Sequence, residues 1–408
     1  MSIITLFSSS FCYETSLIEE IISRTGYQLI TDKEVVAETS RLSELAESKI
    51  MRAFSSGSSV FNKFTHEKER SIAFLKLALA ELIPEDKALL TCFCGQLIPK
   101  AVSHTLRVCL IANLRYRIGA ASREQGISDK EAVKLVQKRE EDCSSWIDML
   151  FNQDDPWDAS LYDIVIPADK MTQADAVTLI ADNALSDVVR PTENSMQALA
   201  DFRLAARAEV ALAREGHNVD VSAKEGSITI TINKHVLMLS RLQDELRSIA
   251  EQVPGVAAVE TKVGKDFHKS DIYRKHDFEM PSKVLLVDDE REFVQTLSER
   301  LMMRNLGSAV AYDGESALNL IKVDEPEVMI VDLNMPGIDG LEVLRKVKKT
   351  RPEIEVIILT GHGNETDRET CLKLGAFAYL QKPLDINVIS ETIQNANEKI
   401  RQKKTSKG

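Results

Sequence analysis

Val284-Leu285-Leu286-Val287-Asp288-Asp289-Glu290 and Val328-Met329-Ile330-Val331-Asp332-Leu333-Asn334-Met335-Pro336 each carry a short apolar run into a set of acids. Two later runs follow the same plan: residues 356–359 end on Thr360-Gly361, and residues 376–380 on Gln381-Lys382-Pro383. Runs of this length, rich in β-branched residues and separated by helical patterns, read as buried parallel strands. In an open parallel sheet, ligands bind in the crevice at the carboxyl ends of the strands, so all four motifs fall on one rim.

The side chains on that rim define a chemistry. Three carboxylates, Asp288, Asp289 and Asp332, brought within a few ångströms repel by roughly 4 kcal/mol per close pair at an effective dielectric of about 20. Such a cluster calls for a cation. Oxygen-only ligands that leave room for water and a phosphoryl group suit Mg²⁺ better than zinc or a softer metal, and the motifs hold no histidine or cysteine. An aspartate beside a hard cation is also a nucleophile toward an in-line phosphoryl donor, forming an acyl phosphate. Asp332 is the central candidate. The cation and Lys382 would offset charge on the phosphoryl oxygens, and the Thr360 hydroxyl would hydrogen-bond one of them after transfer. A single aspartate after a strand commonly caps a helix, but four motifs in this order argue for a site.

With these residues in place, the stretch 282–402 resembles the receiver domain of bacterial two-component response regulators at every motif position. The resemblance implies a flavodoxin-like (βα)5 fold with Asp332 as phosphoacceptor. It also implies Mg²⁺ held by Asp288, Asp289, Asp332 and the Asn334 backbone carbonyl, and a switch set of Thr360, Tyr379 and Lys382. The role of Tyr379 rests on its three-residue spacing to Lys382, since an aromatic at a strand end is often plain core. A cis peptide before Pro383 is implied as well, a geometry that X-Pro bonds tolerate far better than others. The implied partner is a sensor histidine kinase or a phosphotransfer protein.

At 408 residues and 44% hydrophobic content, the chain has room for two to four domains with ordinary cores. Its net charge of −12 opposes a broad nucleic-acid footprint, which needs clustered basic residues. The basic tail, residues 399–407, reads as short and solvated. Nothing approaches eighteen consecutive apolar residues, and residues 1–7 lack the basic flank and cleavage signal of an export leader. No membrane span and a cytoplasmic location are therefore expected. The six cysteines, Cys12, Cys92, Cys94, Cys109, Cys143 and Cys371, lack zinc spacing and read as reduced, structural thiols.

Helical patterning breaks at Arg190-Pro191-Thr192-Glu193-Asn194 and again across residues 265–281, and both stretches read as linkers. Ser55-Ser56-Gly57-Ser58-Ser59 reads as a small loop. Between the linkers, residues 197–264 read as helix (198–215), strand (219–223), strand (227–232), helix (236–253) and strand (256–263). This α+β order, together with Val253-Pro254-Gly255-Val256, resembles the BON family of small binding domains. No catalytic set accompanies it, so a scaffold or partner-docking role is expected. The segment also lacks the basic patch that an anionic membrane surface favours.

Residues 1–188 begin with an apolar strand (3–7), a turn Ser8-Ser9-Ser10-Phe11-Cys12-Tyr13-Glu14-Thr15, and a helix ending near Gly26. A strand, turn and helix in this place is where a P-loop sits. Further on come a strand (105–112), a helix opened by Asn113-Leu114-Arg115-Tyr116-Arg117-Ile118, and a charged helix running through Trp146. Asp155-Pro156-Trp157 and Leu161-Tyr162-Asp163-Ile164-Val165-Ile166 follow. Together these segments resemble the cytidylate kinase-like family and imply a P-loop kinase-like α/β fold. The chemistry departs from it. A phosphate-cradling loop needs glycines so that successive backbone N–H groups face the phosphates, and this turn has none. Cys12, Tyr13 and Glu14 stand where the family has its glycine-rich loop, and Glu14 would repel a triphosphate. Phe93-Cys94-Gly95 takes the place of the family's acceptor-phosphate arginine. In the lid helix Cys143 and Ser145 replace paired arginines, with Arg139 nearby to compensate in part. Arg115, Arg117 and Arg123 read as a solvated helix face, and Asp163 as a cap.

The sequence thus describes a response regulator with a receiver at 282–402, a BON-like unit at 197–264 and a degenerate cytidylate kinase-like domain at 1–188. The alternative is a phosphorylation-regulated nucleoside monophosphate kinase. No helix-turn-helix follows the receiver stretch, so direct control of transcription is not expected. A nucleotide at residues 1–188 and a homodimer are both compatible with the sequence, while the catalytic residues of a working kinase cannot be named from it.

Overall fold

The computed structural model describes residues 2–56, 67–91, 93–234, 236, 239–265, 267, 283–302, 304, 306–361, 365–383 and 385–405. Cys92 and nearly all of the 265–281 linker lie outside them, as do Gly57, Ser58 and Ser59 of the small loop. The chain divides into two compact units, residues 1–58 with 68–274, and 59–67 with 275–408.

In the first unit β1 (Ile3–Ser8), β2 (Gln28–Ile30), β3 (Ala88–Thr91), β4 (Thr105–Ile111) and β5 (Ile164–Pro167) form one parallel sheet in the order β2-β3-β1-β4-β5. β1 is central and covered on both faces. Because successive side chains in a strand point to opposite sides, Ile3 and Phe7 enter one core and Ile4 and Leu6 the other. Helices Asp32–Ser43, Glu67–Leu82 and Asp129–Phe151 supply the first core, and Glu14–Thr25 and Gln173–Ala184 the second. Side-chain caps start several helices of this unit. Thr31 with Glu34 and Ser128 with Glu131 form capping boxes, and the Asn113 side chain accepts the Tyr116 N–H.

A second, three-stranded sheet in the same unit consists of β6 (Asp220–Lys224), β7 (Ser227–Ile232) and β8 (Ala258–Val263), with β7 antiparallel to β6 and parallel to β8. Its helices are Glu193–Arg214 and Leu239–Ala250, which gives the expected αββαβ order. Of the expected linker at 190–194, residues 190–192 lie outside any helix. Thr192 caps a helix that begins at Glu193 and serves two cores at once. Leu199, Phe202, Ala206 and Val210 pack into the core under β1, whereas Leu204, Ala208 and Leu212 pack with Ile228, Ile230 and Ile232 of β7. A helix with two apolar stripes needs cover on both sides, so it cannot be a spacer. Arg203 donates to the carbonyls of Ala80 and Ile83, and Lys76 pairs with Glu209 at 2.9 Å, tying the same helix to Glu67–Leu82.

The second unit is a five-stranded parallel sheet of β9 (Val284–Val287), β10 (Ser308–Ala311), β11 (Val328–Val331), β12 (Glu355–Thr360) and β13 (Ala378–Gln381), ordered β10-β9-β11-β12-β13. This is a doubly wound, flavodoxin-like arrangement. Its helices cover both faces: Arg291–Met302 and Ile386–Thr405 on one, Gly314–Val323 and Gly340–Thr350 on the other. The edge strand β10 has no counterpart among the four motif-bearing runs, because Ser-Ala-Val-Ala is too weakly apolar to stand out. The solvated-tail reading of 399–407 is also corrected. Lys399 and Lys403 lie on the last helix and reach Glu355 Oε2 and Oε1 at 3.2 and 2.8 Å; residues 406–408 are outside the described residues.

No helix among the described residues is long and apolar enough to cross a membrane.

Candidate functional site

Strand register places the acids side by side. Val331 pairs with Val287 on one side and with Ile358 on the other, so Asp332 stands level with Asp288, and Thr360 one residue further along the rim. Thr360 pairs with Gln381, and Lys382 follows directly, its N–H bonded to the Thr360 carbonyl at 2.9 Å. Each strand ends as its reactive residue emerges. Gly340 closes the floor, since a Cβ there would sit 2.1 Å from the Asp332 carbonyl oxygen; only glycine permits that approach.

One carboxylate oxygen from each of Asp288, Asp289 and Asp332 lies within 4.8 Å of the others. Asp332 is 6% exposed, and its Oδ1 has no hydrogen-bond partner although it is buried, while Oδ2 accepts the Asn334 N–H at 3.2 Å. Lys382 is the cation at this rim. Its Nζ lies 2.6 Å from Asp288 Oδ2, 3.3 Å from Glu290 Oε1 and 4.0 Å from Asp332 Oδ1. Among the described residues one ammonium faces four acids, which leaves the rim negative. Burial pulls the Lys382 ammonium down, but its hydrogen bond to Asp288 and the charges of Asp288, Asp332 and Glu290 outweigh this and hold it above its ordinary value. Asp288 also moves up, because burial, with the neighbouring Asp332 charge, outweighs what the shared lysine and the Glu290 N–H return. The residues therefore fit a hard divalent cation, whose charge would relieve the repulsion and whose coordination would use the bare Asp332 oxygen.

The remaining expected residues fall close by. Thr360 is fully buried at the end of β12. Tyr379 is half-buried on β13 against the core, with no hydrogen-bond partner for its hydroxyl. The Lys382–Pro383 peptide is cis. Glu290 was visible in the first motif, but nothing in the sequence tied it to Lys382. Phe293 was not signalled at all, and its ring centre lies 4.1 Å from the same ammonium.

The turn after β1 is built without glycine, yet Phe11 and Tyr13 adopt positive φ values of 66° and 50°. The Cys12 N–H donates to Glu14 Oε2 at 2.9 Å. At the end of β3 the Asp32 carboxylate accepts the N–H groups of Phe93 and Cys94 at 3.0 and 2.9 Å. Aromatic rings fill the space beyond: Phe93 stacks on Phe54 at 5.1 Å and meets Trp146 edge-on at 5.9 Å and Phe7 at 6.0 Å. Arg139 lies over the Phe11 ring at 5.3 Å. The solvated reading of Arg117 is corrected, because it is 5% exposed and paired with Glu140. Cys143 is buried, and the Asp163 carboxylate accepts the Arg107 N–H at 2.8 Å.

Comparison with known proteins finds two families, one at each end of the chain. Residues 284–394 match the response regulator receiver domain family, and residues 3–170 match the cytidylate kinase-like family. The C-terminal region is thus a response regulator receiver domain of the two-component type. Over 104 residues, 26% of the chain, it is 36% identical to the response regulator MprA of Mycolicibacterium vanbaalenii and covers 45% of that protein. It is 41% identical over 104 residues to the transcriptional regulatory protein CpxR of Escherichia coli K12, covering 26% of this chain and 44% of that protein. The chain therefore spans less than half the length of these curated relatives. The solved receiver domain of the Francisella response regulator 1452 covers 29% of this chain and 98% of its own, at 29% identity and a TM-score of 0.28. A receiver domain protein from Clostridium thermocellum covers 30% and 97%, at 34% identity and a TM-score of 0.28.

Proposed function

We propose that Asp332 accepts a phosphoryl group from the phosphohistidine of a sensor histidine kinase or phosphotransfer protein, and that the change is passed to the N-terminal unit. The observation that carries this is the bare, buried Asp332 Oδ1 on a rim shared with Asp288, Asp289 and Lys382. A carboxylate oxygen of Asp332 attacks phosphorus in line, a P–O bond forms, the P–N bond to the donor imidazole breaks, and that nitrogen keeps the electron pair. Asp288, Asp289, Asp332 and the Asn334 carbonyl would hold Mg²⁺, which supplies charge neutralisation at the phosphoryl oxygens. Lys382 then meets one phosphoryl oxygen and the Thr360 hydroxyl another, and Tyr379, half-buried beside the core, is the side chain free to follow. The test is labelling of the full chain by a small phosphodonor in Mg²⁺, followed by pull-down of partners with wild type and Asp332→Asn.

The N-terminal region, taken as 1–188, serves on this reading as a non-catalytic kinase-like fold. Glu14 and Asp32 already occupy backbone N–H groups at the ends of β1 and β3, which argues against the regulated nucleoside monophosphate kinase alternative. The αββαβ order supports a BON-like docking role for the middle region, taken as 197–264, with the receiver at 282–402. Its shared helix, Glu193–Arg214, is the means by which anything bound there would be felt in the kinase-like core.

A further inference from the structure

Two residues that no established feature of this site requires surround Lys382. Its ammonium donates to Glu290 Oε1 at 3.3 Å and lies 4.1 Å from the centre of the Phe293 ring, while Asp332 Oδ1, at 4.0 Å, is beyond hydrogen-bond reach. Glu290 directly precedes helix Arg291–Met302 and Phe293 lies in its first turn, so one short segment presents a carboxylate and an aromatic face to the same cation. Asp288 makes the third contact, at 2.6 Å. Lysine is a compact charge on a flexible stem, and it goes where acceptors and ring faces offer most.

We propose that Glu290 and Phe293 are positioning residues that park Lys382 away from Asp332 in the unphosphorylated state and so set how readily it crosses to a phosphoryl group. The inference rests on Asp332 as phosphoacceptor. Contacts with Glu290 and the ring exist in the resting arrangement and are weakened when the ammonium moves onto a phosphoryl oxygen, so they bias the equilibrium toward rest. A ligand shifts such an equilibrium only through contacts that differ between the two states. Glu290 is 67% exposed, which keeps its contribution modest.

The experiment is a titration of the full chain with beryllium fluoride, a phosphoryl mimic, in Mg²⁺, read as the bound signal in ¹⁹F NMR. Glu290→Gln is expected to tighten the mimic about two- to fivefold, and Phe293→Leu, which keeps every charge, about twofold. Glu292→Gln removes the same charge two residues along the chain and is expected to do less than half as much. The decisive comparison is Glu290→Gln in a Lys382→Ala background, where the effect should vanish if Glu290 acts through the lysine. The same tightening without Lys382, or weaker binding by Glu290→Gln, overturns the proposal. Binding that is absent in wild type and in Asp332→Asn alike overturns the phosphoacceptor reading first and this inference with it.

Discussion

The Glu14 carboxylate accepts the backbone N–H of Cys12 at 2.9 Å, across a turn whose flanking residues Phe11 and Tyr13 both have positive φ. A turn of this shape at the start of a helix collects backbone dipoles that favour an anion. Here the anion is part of the chain. Asp32 does the same for Phe93 and Cys94 at the end of β3, and the rings of Phe93, Phe54 and Trp146 close the space beyond.

Phosphate transfer from ATP to CMP, UMP or dCMP is accordingly expected to be absent, in the acyl-phosphorylated chain as in the unmodified one. Losing one group that stabilises transition-state charge commonly costs about a hundredfold or more, and on the kinase-like reading Glu14, Cys94 and Cys143 with Ser145 stand in the places of several. Steady turnover above about 1 s⁻¹, an ordinary enzyme rate, in either state would falsify the non-catalytic reading.

Asp332→Asn is expected to abolish acyl-phosphate formation with a small phosphodonor in Mg²⁺. The amide keeps the shape of the side chain but removes the nucleophilic carboxylate. Label retained at wild-type level in the mutant would move the acceptor elsewhere.

Thr360→Ala or Lys382→Ala should leave Mg²⁺ binding roughly intact yet uncouple phosphorylation from the conformational response. Hydrogen exchange around Tyr379, compared with and without the phosphoryl mimic, reports this. Mutants that respond as wild type does would remove these two side chains from the switch.

Glu355→Gln is expected to destabilise the receiver unit at neutral pH by about 1–3 kcal/mol, measured by urea unfolding. Glu355 is fully buried and is met by Lys348, Lys399 and Lys403. Burial pushes its carboxyl up, but the hydrogen bonds and charges of the three lysines more than reverse this and hold it below its ordinary value of 4.5. A depressed carboxyl contributes stability above the unfolded value and loses it as pH falls through the folded one. Wild type should therefore lose stability below about pH 4.5 more steeply than Glu355→Gln, and parallel acid profiles would count against the cluster.

Phe202→Ala should cost about 3 kcal/mol, the usual loss for a buried phenylalanine. Because helix Glu193–Arg214 serves both the core on one face of β1 and the core of β7, hydrogen exchange should rise in β7 as well as near β1. An increase confined to the sheet of β1 would mean that the two cores open independently.

The core of the receiver site was legible in the sequence because Asp288, Asp332, Thr360 and Lys382 each stand at or directly after the end of a strand. A short continuous apolar run announces a buried parallel strand, and the residue at or just past its end must appear on the rim, so Asp288, Asp332, Thr360 and Lys382 could be placed together without coordinates. Composition likewise made the loss of a glycine loop plain at residues 8–15. The strand β10 and the shared helix were less legible. The first is weakly apolar, and the second carries two apolar stripes whose separate destinations no local pattern distinguishes.

What only the tertiary structure decided are contacts between residues far apart in the chain. Glu290 was in view from the start, but its meeting with Lys382, 92 residues later, depends on β9 and β13 lying in one sheet with β11 and β12 between them. Arg117 read as a surface charge until the helix Asp129–Phe151 covered it and supplied Glu140. Lys399 and Lys403 read as a loose tail until the last helix laid them on Glu355. Local sequence determines which groups a strand or helix presents. Which opposite charge each one meets depends on how the elements are packed, because side-chain electrostatics act over a few ångströms of space whatever the separation along the chain.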